Sequence, residues 1–315
     1  MTTLADDPQA SRLLAELEPI VTKELERHIN QAREWFPHEY VPWSEGRTFS
    51  GVLDGEEWTP SDLRFTESAR SALIVNLLTE DNLPSYHFEI ASEFGREGPW
   101  GEWVHRWTAE EGRHGQAIRD YLTVTRSVDP VELEQLRMAH MGEGFAAIHP
   151  GVLGGLAYVS FQELATRVSH RNTGKATGDP VAEQLFARIA LDENLHMVFY
   201  RNMMAAAFEV TPDETMAAVR DVVVDFKMPG YGMPGFQRKA VQIAIDGIYD
   251  LRQHKDEVLM PILRHWKVFE LPNLGPEGEK ARQQIAEFLD ELEATAVRFE
   301  QKRDALKARL ASRSS

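Results

Sequence analysis

The chain has 315 residues, of which 43% are hydrophobic, and a formal net charge of −16. The absence of cysteine excludes disulfides and thiolate metal ligands, and the negative charge argues against a nucleic-acid partner, which would need basic surface. No apolar run approaches the roughly 20 residues needed to span a bilayer, and the first eight residues lack a signal-peptide pattern, so we expect a cytoplasmic protein.

Apolar residues are spaced as in helices along the whole chain, and strand signals are almost absent. In chain order this spacing predicts helices, joined by loops rich in Gly and Pro, over 11–34, Ser61–Phe94, Trp100–Thr125, Pro130–Met141, Leu156–Asn172, Val181–Glu209, Pro212–Met228, Phe236–Trp266 and Pro276–Ser315. Pro84 is expected to kink the second helix and Pro261 to break the eighth, because an interior proline removes a backbone hydrogen bond. The second helix has Ser61 or Asp62 as its predicted N-cap. The apolar face of the last helix is predicted to hold Leu289, Leu292, Val297 and Phe299.

These elements predict an all-α fold. We expect one domain over residues 1–315. Its core four-helix bundle covers about 61–209, an N-terminal helix and loop cover 1–60, and further helices cover 212–315.

Two Glu-x-x-His pairs mark the centre of this bundle, Glu111 with His114 and Glu193 with His196. Residues three apart share one helix face, so each pair can offer a carboxylate oxygen and an imidazole nitrogen to one metal ion. A third such pair begins at Glu102, nine residues before Glu111, which is roughly 180° around the same helix. We therefore interpret the third pair as a surface coincidence.

A second spacing separates the first two pairs from coincidence. Glu80 precedes Glu111 by 31 residues, and Glu163 precedes Glu193 by 30. Each half of the core is thus a helix with Glu followed by a helix with Glu-x-x-His, as in ferritin-like di-iron bundles. Oxygen and nitrogen donors without thiolates suit two iron or manganese ions rather than an iron–sulfur cluster or structural zinc. The predicted metal ligands are Glu80, Glu111, His114, Glu163, Glu193 and His196.

Other polar residues lie close to the predicted ligands in sequence. Thr166 shares the inward face of Glu163, and its hydroxyl can either position dioxygen or bond to a carbonyl of its own helix. Asp192 and Glu110 each precede a predicted ligand, and each can either accept a hydrogen bond from a ligand histidine or be a solvated helix carboxylate. The remaining histidines lack a paired carboxylate and are interpreted as structural or exposed: His28, His38, His87, His105, His140, His149, His170, His254 and His265.

At these residues the chain resembles the soluble acyl-carrier-protein desaturases, especially their actinobacterial, mycobacterial-type branch. The resemblance covers nearly the whole chain and keeps all six ligands in order. It is carried by the stretches Thr79–Tyr86, Arg106–Glu111, Tyr158–Thr166 and Asp192–His196.

The resemblance implies a homodimeric di-iron enzyme that inserts a cis double bond into a saturated fatty acyl chain carried on acyl carrier protein. Dioxygen and two electrons from reduced ferredoxin, or a similar donor, would drive the reaction, and manganese or a mixed metal pair is an alternative to iron. The resemblance also implies that Thr166 lies by the oxygen site and that Trp35, Asp192 and His114 form an electron entry route. Leu195 stands where plant members have a basic residue, so the docking surface for the acidic carrier protein is not predicted.

Two other classes of function fit part of the pattern. A different di-metal oxidase, such as a ribonucleotide reductase small subunit or a ligand-binding oxidase, would share the ligands. The reductase usually has Tyr four residues after the first histidine, where this chain has Ile118. A non-catalytic protein, either an iron store or an acyl-carrier-binding relative, would keep the fold, although iron stores are shorter than this chain.

Overall fold

The computed structural model describes residues 8–233 and 235–312, and within these ranges it contains helices and no β-strand. The all-α prediction is confirmed. Three parts of the sequence predictions lie outside the described residues. They are the expected lack of a signal peptide at residues 1–7, Pro234 of the predicted loop, and the predicted helix end at 313–315. The α-helices are α1 (Pro8–Gln31), α2 (Glu67–Asp81), α3 (Leu83–Phe94), α4 (Gly98–Val124), α5 (Pro130–Glu143), α6 (Val152–Thr177), α7 (Pro180–Val210), α8 (Pro212–Val224), α9 (Phe236–Ile245), α10 (Leu251–Gln253), α11 (Met260–His265) and α12 (Pro276–Ala311). Short 3-10 turns occupy Pro37–Glu39, Trp43–Glu45 and Pro60–Asp62, and a π-helical segment spans His254–Leu259.

The core bundle is built from α2 with α3, α4, α6 and α7. The longest interface joins α6 to α7, while α2 contacts both α4 and α6. Gly178 ends α6 in the left-handed conformation, with φ of 66°, and the Asp179 side chain immediately caps α7 by accepting the Val181 N–H at 2.8 Å. This adjacent stop and start lets the two helices fold back on each other.

The predicted single helix Ser61–Phe94 is wrong at two places. It begins at Glu67, where the Thr66 hydroxyl accepts the Ala69 N–H at 3.3 Å, because residues 60–62 form a separate 3-10 turn. It is also broken at Asn82, whose ψ of 12° lies outside the helical region. Pro84 explains the break, since it occupies the first turn of α3, where no backbone donor is needed.

The C-terminal region differs from the prediction in two details. The predicted helix Phe236–Trp266 is interrupted after Ile245, well before Pro261. Helical structure resumes at Leu251 and runs through the π-helical segment into α11. On α12 the buried face differs from the predicted apolar face, because Val297 is 37% exposed. The buried face holds Ala281, Ile285, Leu289, Leu292 and Ala296.

The flanking helices cover the bundle. Helix α1 packs against α4 and α7, and α8 packs between α6 and α12. The buried apolar side chains form two clusters, and α4 passes from one, at Trp107, to the other, at Ala117. The polar centre lies along the helices between these clusters. None of the helices in the described ranges is both long and apolar enough to cross a membrane.

Candidate metal centre

The six predicted ligands converge in the middle of the bundle, and all are buried. In one group, Glu80, Glu111, His114 and Glu193 have ligand atoms within 4.8 Å of one another. A second group of the same kind holds Glu111, Glu163, Glu193 and His196. Because Glu111 and Glu193 belong to both groups, the arrangement provides two adjacent positions with two shared carboxylates.

Donor atoms face one another here without hydrogen bonds. Nδ1 of both histidines, Oε1 of Glu111 and Glu193, and Oε2 of Glu163 are buried and have no hydrogen-bond partner among the described residues. His196 Nδ1 lies 2.7 Å from Glu111 Oε1, and His114 Nδ1 lies 3.1 Å from Glu193 Oε1. Leaving such groups buried and unpaired is costly. The donor set therefore fits metal ions, which take carboxylate oxygens and imidazole nitrogens as ligands.

The carboxylates lack enough positive charge to ionise together. Burial, together with the charges of Glu111 and Glu193, raises the pKa of Glu163 well above its usual value. Burial also raises the pKa of Glu111, with the Glu193 charge adding to it. Burial opposes ionisation of Glu80 as well, yet the neighbouring His114 and His170 side chains keep the pKa of Glu80 below normal. Two bound cations would allow all four carboxylates to ionise.

Asp192 joins the centre to Trp35. Its Oδ2 accepts the Trp35 indole N–H at 2.7 Å and lies 3.4 Å from His114 Nε2. Arg113 and Arg188 flank the indole, with guanidinium carbons 5.1 and 5.7 Å from the ring centre. Asp192 is buried, which rules out the alternative of a solvated helix carboxylate.

Glu110 occupies the matching place on the other half. Its Oε2 lies 2.9 Å from His196 Nε2 and 2.9 Å from His28 Nε2, and its Oε1 lies 2.5 Å from Arg106. Each carboxylate that precedes a predicted ligand Glu thus contacts the predicted ligand histidine of the opposite half. With the Nε2 proton donated outward, Nδ1 of His114 and of His196 is left to face the cluster.

Thr166 contacts one of the shared carboxylates. Its hydroxyl lies 2.6 Å from Glu193 Oε2 and 3.0 Å from the Glu163 carbonyl of its own helix. A hydroxyl has one proton, and a carboxylate is the stronger acceptor. The Thr166 hydroxyl therefore donates to Glu193.

Several contacts were missed by sequence reasoning. His170 Nε2 lies 2.8 Å from Glu80 Oε1, and the Trp107 indole N–H donates to Glu163 Oε1 at 3.0 Å. Interpreting His28 and His170 as structural or exposed overlooked their contacts with buried carboxylates. A signal existed for His170, which lies seven residues after Glu163 and so on the same helix face. No comparable signal marked His28, because α1 lies outside the bundle.

The third Glu-x-x-His pair stays apart from this cluster. Glu102 and His105 are both exposed on α4. Their interpretation as a surface coincidence is confirmed.

An apolar cavity of about 60 Å³ reaches the centre. Glu80 and Glu111 form part of its wall. Its apolar lining comes from α3, α6 and the loop before α6, and includes Leu83, Tyr86, Ile90, Phe145, Ile148, Tyr158 and Val159.

The helical bundle is of the ferritin-like class, and its buried carboxylate–histidine cluster has the donor groups that could hold two metal ions. A family model described as fatty acid desaturase matches residues 9–314. DesA1 of Mycobacterium tuberculosis, whose name assigns it provisionally to the acyl-[acyl-carrier-protein] desaturases, is 51% identical over 297 residues, which are 92% of this chain and 88% of that protein. Stearoyl-[acyl-carrier-protein] 9-desaturase 5 of Oryza sativa subsp. japonica is 28% identical, over 87% of this chain and 75% of its own.

The fold comparison agrees with the sequence comparisons. The X-ray structure of M. tuberculosis DesA2, provisionally an acyl-ACP desaturase, matches with a TM-score of 0.72 and 30% identity, covering 87% of this chain and 99% of that one. The chain belongs to the fatty acid desaturase family, in the mycobacterial-type branch of acyl-ACP desaturases. The predicted family and the predicted ferritin-like fold are both confirmed.

Proposed function

We propose that the protein is a di-iron, dioxygen-dependent desaturase that inserts a cis double bond into a saturated fatty acyl chain carried on acyl carrier protein. The observation that carries this proposal is the overlap of two carboxylate–histidine groups beside an apolar cavity. The names of the relatives in M. tuberculosis and rice support the substrate class.

The proposed iron ligands are the six predicted side chains, Glu80, Glu111, His114, Glu163, Glu193 and His196. Bound iron supplies the oxidising power, from dioxygen and two electrons, that an unactivated C–H bond requires and that side-chain acid–base chemistry lacks. Manganese or a mixed pair is the alternative metal content, because the donor set suits both metals.

The rest of the site positions ligands and substrate. The apolar wall of the cavity would hold acyl methylenes, each worth about 0.8 kcal/mol on burial, and would exclude water from them. Trp107 orients Glu163 through its indole N–H, and Thr166 orients Glu193 through its hydroxyl proton. Asp192 and Trp35 are the proposed electron entry route, supported by their 2.7 Å hydrogen bond.

Further features belong to this proposal as predictions. They are ferredoxin or a similar protein as electron donor, a homodimer, a cytoplasmic location and a single domain over the whole chain.

A product assay tests the proposal. The purified, iron-loaded protein is given a panel of saturated acyl-carrier-protein thioesters, reduced ferredoxin and dioxygen, and the released fatty acids are analysed by mass spectrometry. We expect a mono-unsaturated product that is absent without dioxygen and absent from the Glu163→Ala variant. A protein that binds and reduces two irons yet makes no such product contradicts the proposal.

A further inference from the structure

The two halves of the centre have matching carboxylates but different outer partners. Asp192 is held by Trp35, which follows α1, whereas Glu110 is held by His28 within α1. His28 is fully buried, and its Nε2 shares Glu110 Oε2 with the ligand histidine His196. A helix outside the four-helix core thus reaches one half of the centre.

The His28 ring is firmly packed. It meets the Trp103 ring edge-on, with ring centres 5.1 Å apart, and stacks on His196 at 5.6 Å. Arg106 contacts the other oxygen of Glu110, but the Arg106 side chain is 44% exposed. Ion pairs with such a solvated partner contribute little free energy. His28 is therefore the rigid partner of Glu110.

We propose that His28 is a positioning residue, which holds Glu110 so that Glu110 keeps His196 oriented as a metal ligand. The inference rests on the metal centre of the proposed function. Two N–H donors on one oxygen restrict rotation of the Glu110 carboxylate, and outer partners of this kind are typically worth 10–100-fold in metal affinity. A purely space-filling histidine would affect stability and leave metal affinity unchanged.

The test measures metal binding without acyl substrate. Anaerobic titration with Fe²⁺ gives the number and affinity of the metals bound by the wild type and by His28→Leu, which removes the donor. We expect at least a tenfold loss of affinity at one of two positions, and recovery of most of it in His28→Gln, whose amide restores an N–H donor. Leu25→Ala is the matched control, because Leu25 is also buried on α1 and its truncation lowers stability while leaving metal affinity unchanged.

Wild-type affinity at both positions in a folded His28→Leu protein would overturn the inference. If that variant does not fold, His28→Phe, which keeps an aromatic ring but has no N–H donor, replaces it, with circular dichroism as the folding check and the same loss at one position expected; unchanged affinity there also overturns the inference. Wild-type protein that binds two metals but makes no unsaturated product would refute the proposed function and leave this inference standing. Wild-type protein that binds no metal would refute both.

Discussion

Glu93 places an ionisable group on the wall of the apolar cavity. Its Oε1 accepts the Gly151 N–H at 2.9 Å, yet burial, with the nearby charge of Glu89, raises the pKa of Glu93 to about 7. In the unfolded chain the same group titrates near its ordinary value of 4.5. The folded protein therefore holds a proton that the unfolded chain has lost, and the stability this gives declines as the pH rises from 4.5 through 7.

Replacing Glu93 with Gln should remove this pH dependence. Gln keeps an acceptor for Gly151 but cannot ionise. The free energy of unfolding of Glu93→Gln minus that of the wild type should be about 1–2 kcal/mol larger at pH 8 than at pH 5. This value is reduced to allow for partial solvent access. Urea denaturation at both pH values measures this, with Glu102→Gln at an exposed position as control. If the variant and the wild type differed in free energy of unfolding by the same amount at both pH values, the raised pKa of Glu93 would be contradicted.

Thr166→Val tests the hydroxyl that contacts Glu193. The substitution keeps the shape and removes the 2.6 Å hydrogen bond, so we expect a folded protein with about 1–2 kcal/mol less stability, both metals still bound and a lower rate of product formation. Thr166→Ser keeps the hydroxyl and should retain most of that rate. A Thr166→Val protein with full activity would exclude a role for the hydroxyl beside Glu193.

At the residue scale, sequence spacing was sufficient to predict that six carboxylate and histidine side chains converge. The 30- and 31-residue intervals identified the helices that hold these side chains, and the three-residue intervals identified their faces. The cross-connection of Asp192 to His114 and of Glu110 to His196 was not predictable, because it depends on how α4 and α7 oppose each other in three dimensions. His28 could not be predicted for the same reason.

Among the elements, the α6–α7 pair depends on a close approach at Gly174. A Cβ atom there would lie 2.9 Å from Phe186 Cβ and 3.2 Å from Glu183 Cα. Neither atom is the end of a flexible side chain, so one helix must shift. Gly174→Ala should lower the free energy of unfolding by about 1–2 kcal/mol despite the higher helix propensity of Ala.

Gly112 supplies the matched control for that substitution. It lies inside α4 on an exposed face, and the nearest atom to an added Cβ is Leu83 Cδ2 at 3.8 Å. Gly112→Ala should therefore raise the free energy of unfolding by about 0.5–1 kcal/mol. Urea denaturation of both variants gives the two signs. Equal effects would show that the close contact at Gly174 is not what limits the helix pair.

Helix identity was predictable where the pattern was long and periodic, as in α6 and α7. Helix ends and interruptions were not. Pro84 indicated a kink, but whether the chain bends or stops at Asn82 depends on the loop and on α4 beside it. The interruption after Ile245 contains Gly247, whose φ of 74° suits a helix end, but a lone glycine within apolar helical spacing did not show that the helix stops there.

At the scale of the whole molecule, folding holds four carboxylates together inside a chain of net charge −16. Without bound cations, the mutual repulsion of these buried carboxylates opposes folding. A metal that binds the folded protein and not the unfolded chain stabilises it by mass action. Thermal stability should therefore report metal binding directly.

Metal removal should lower the Tm of the whole protein. At a free metal concentration 100 times the Kd, each site contributes about 2.7 kcal/mol. For a chain of 315 residues the unfolding entropy corresponds to about 1.5 °C per kcal/mol, so one site corresponds to roughly 4 °C. Differential scanning calorimetry of chelator-treated protein, before and after anaerobic addition of Fe²⁺, measures this shift. Glu163→Ala should fold and bind no iron, so its Tm should not shift when iron is added. Glu102→Ala, in the exposed third Glu-x-x-His pair, should keep the full wild-type shift in Tm. If Glu163→Ala gained as much Tm from iron as the wild type, the added metal would be binding elsewhere and the ligand assignment would fail.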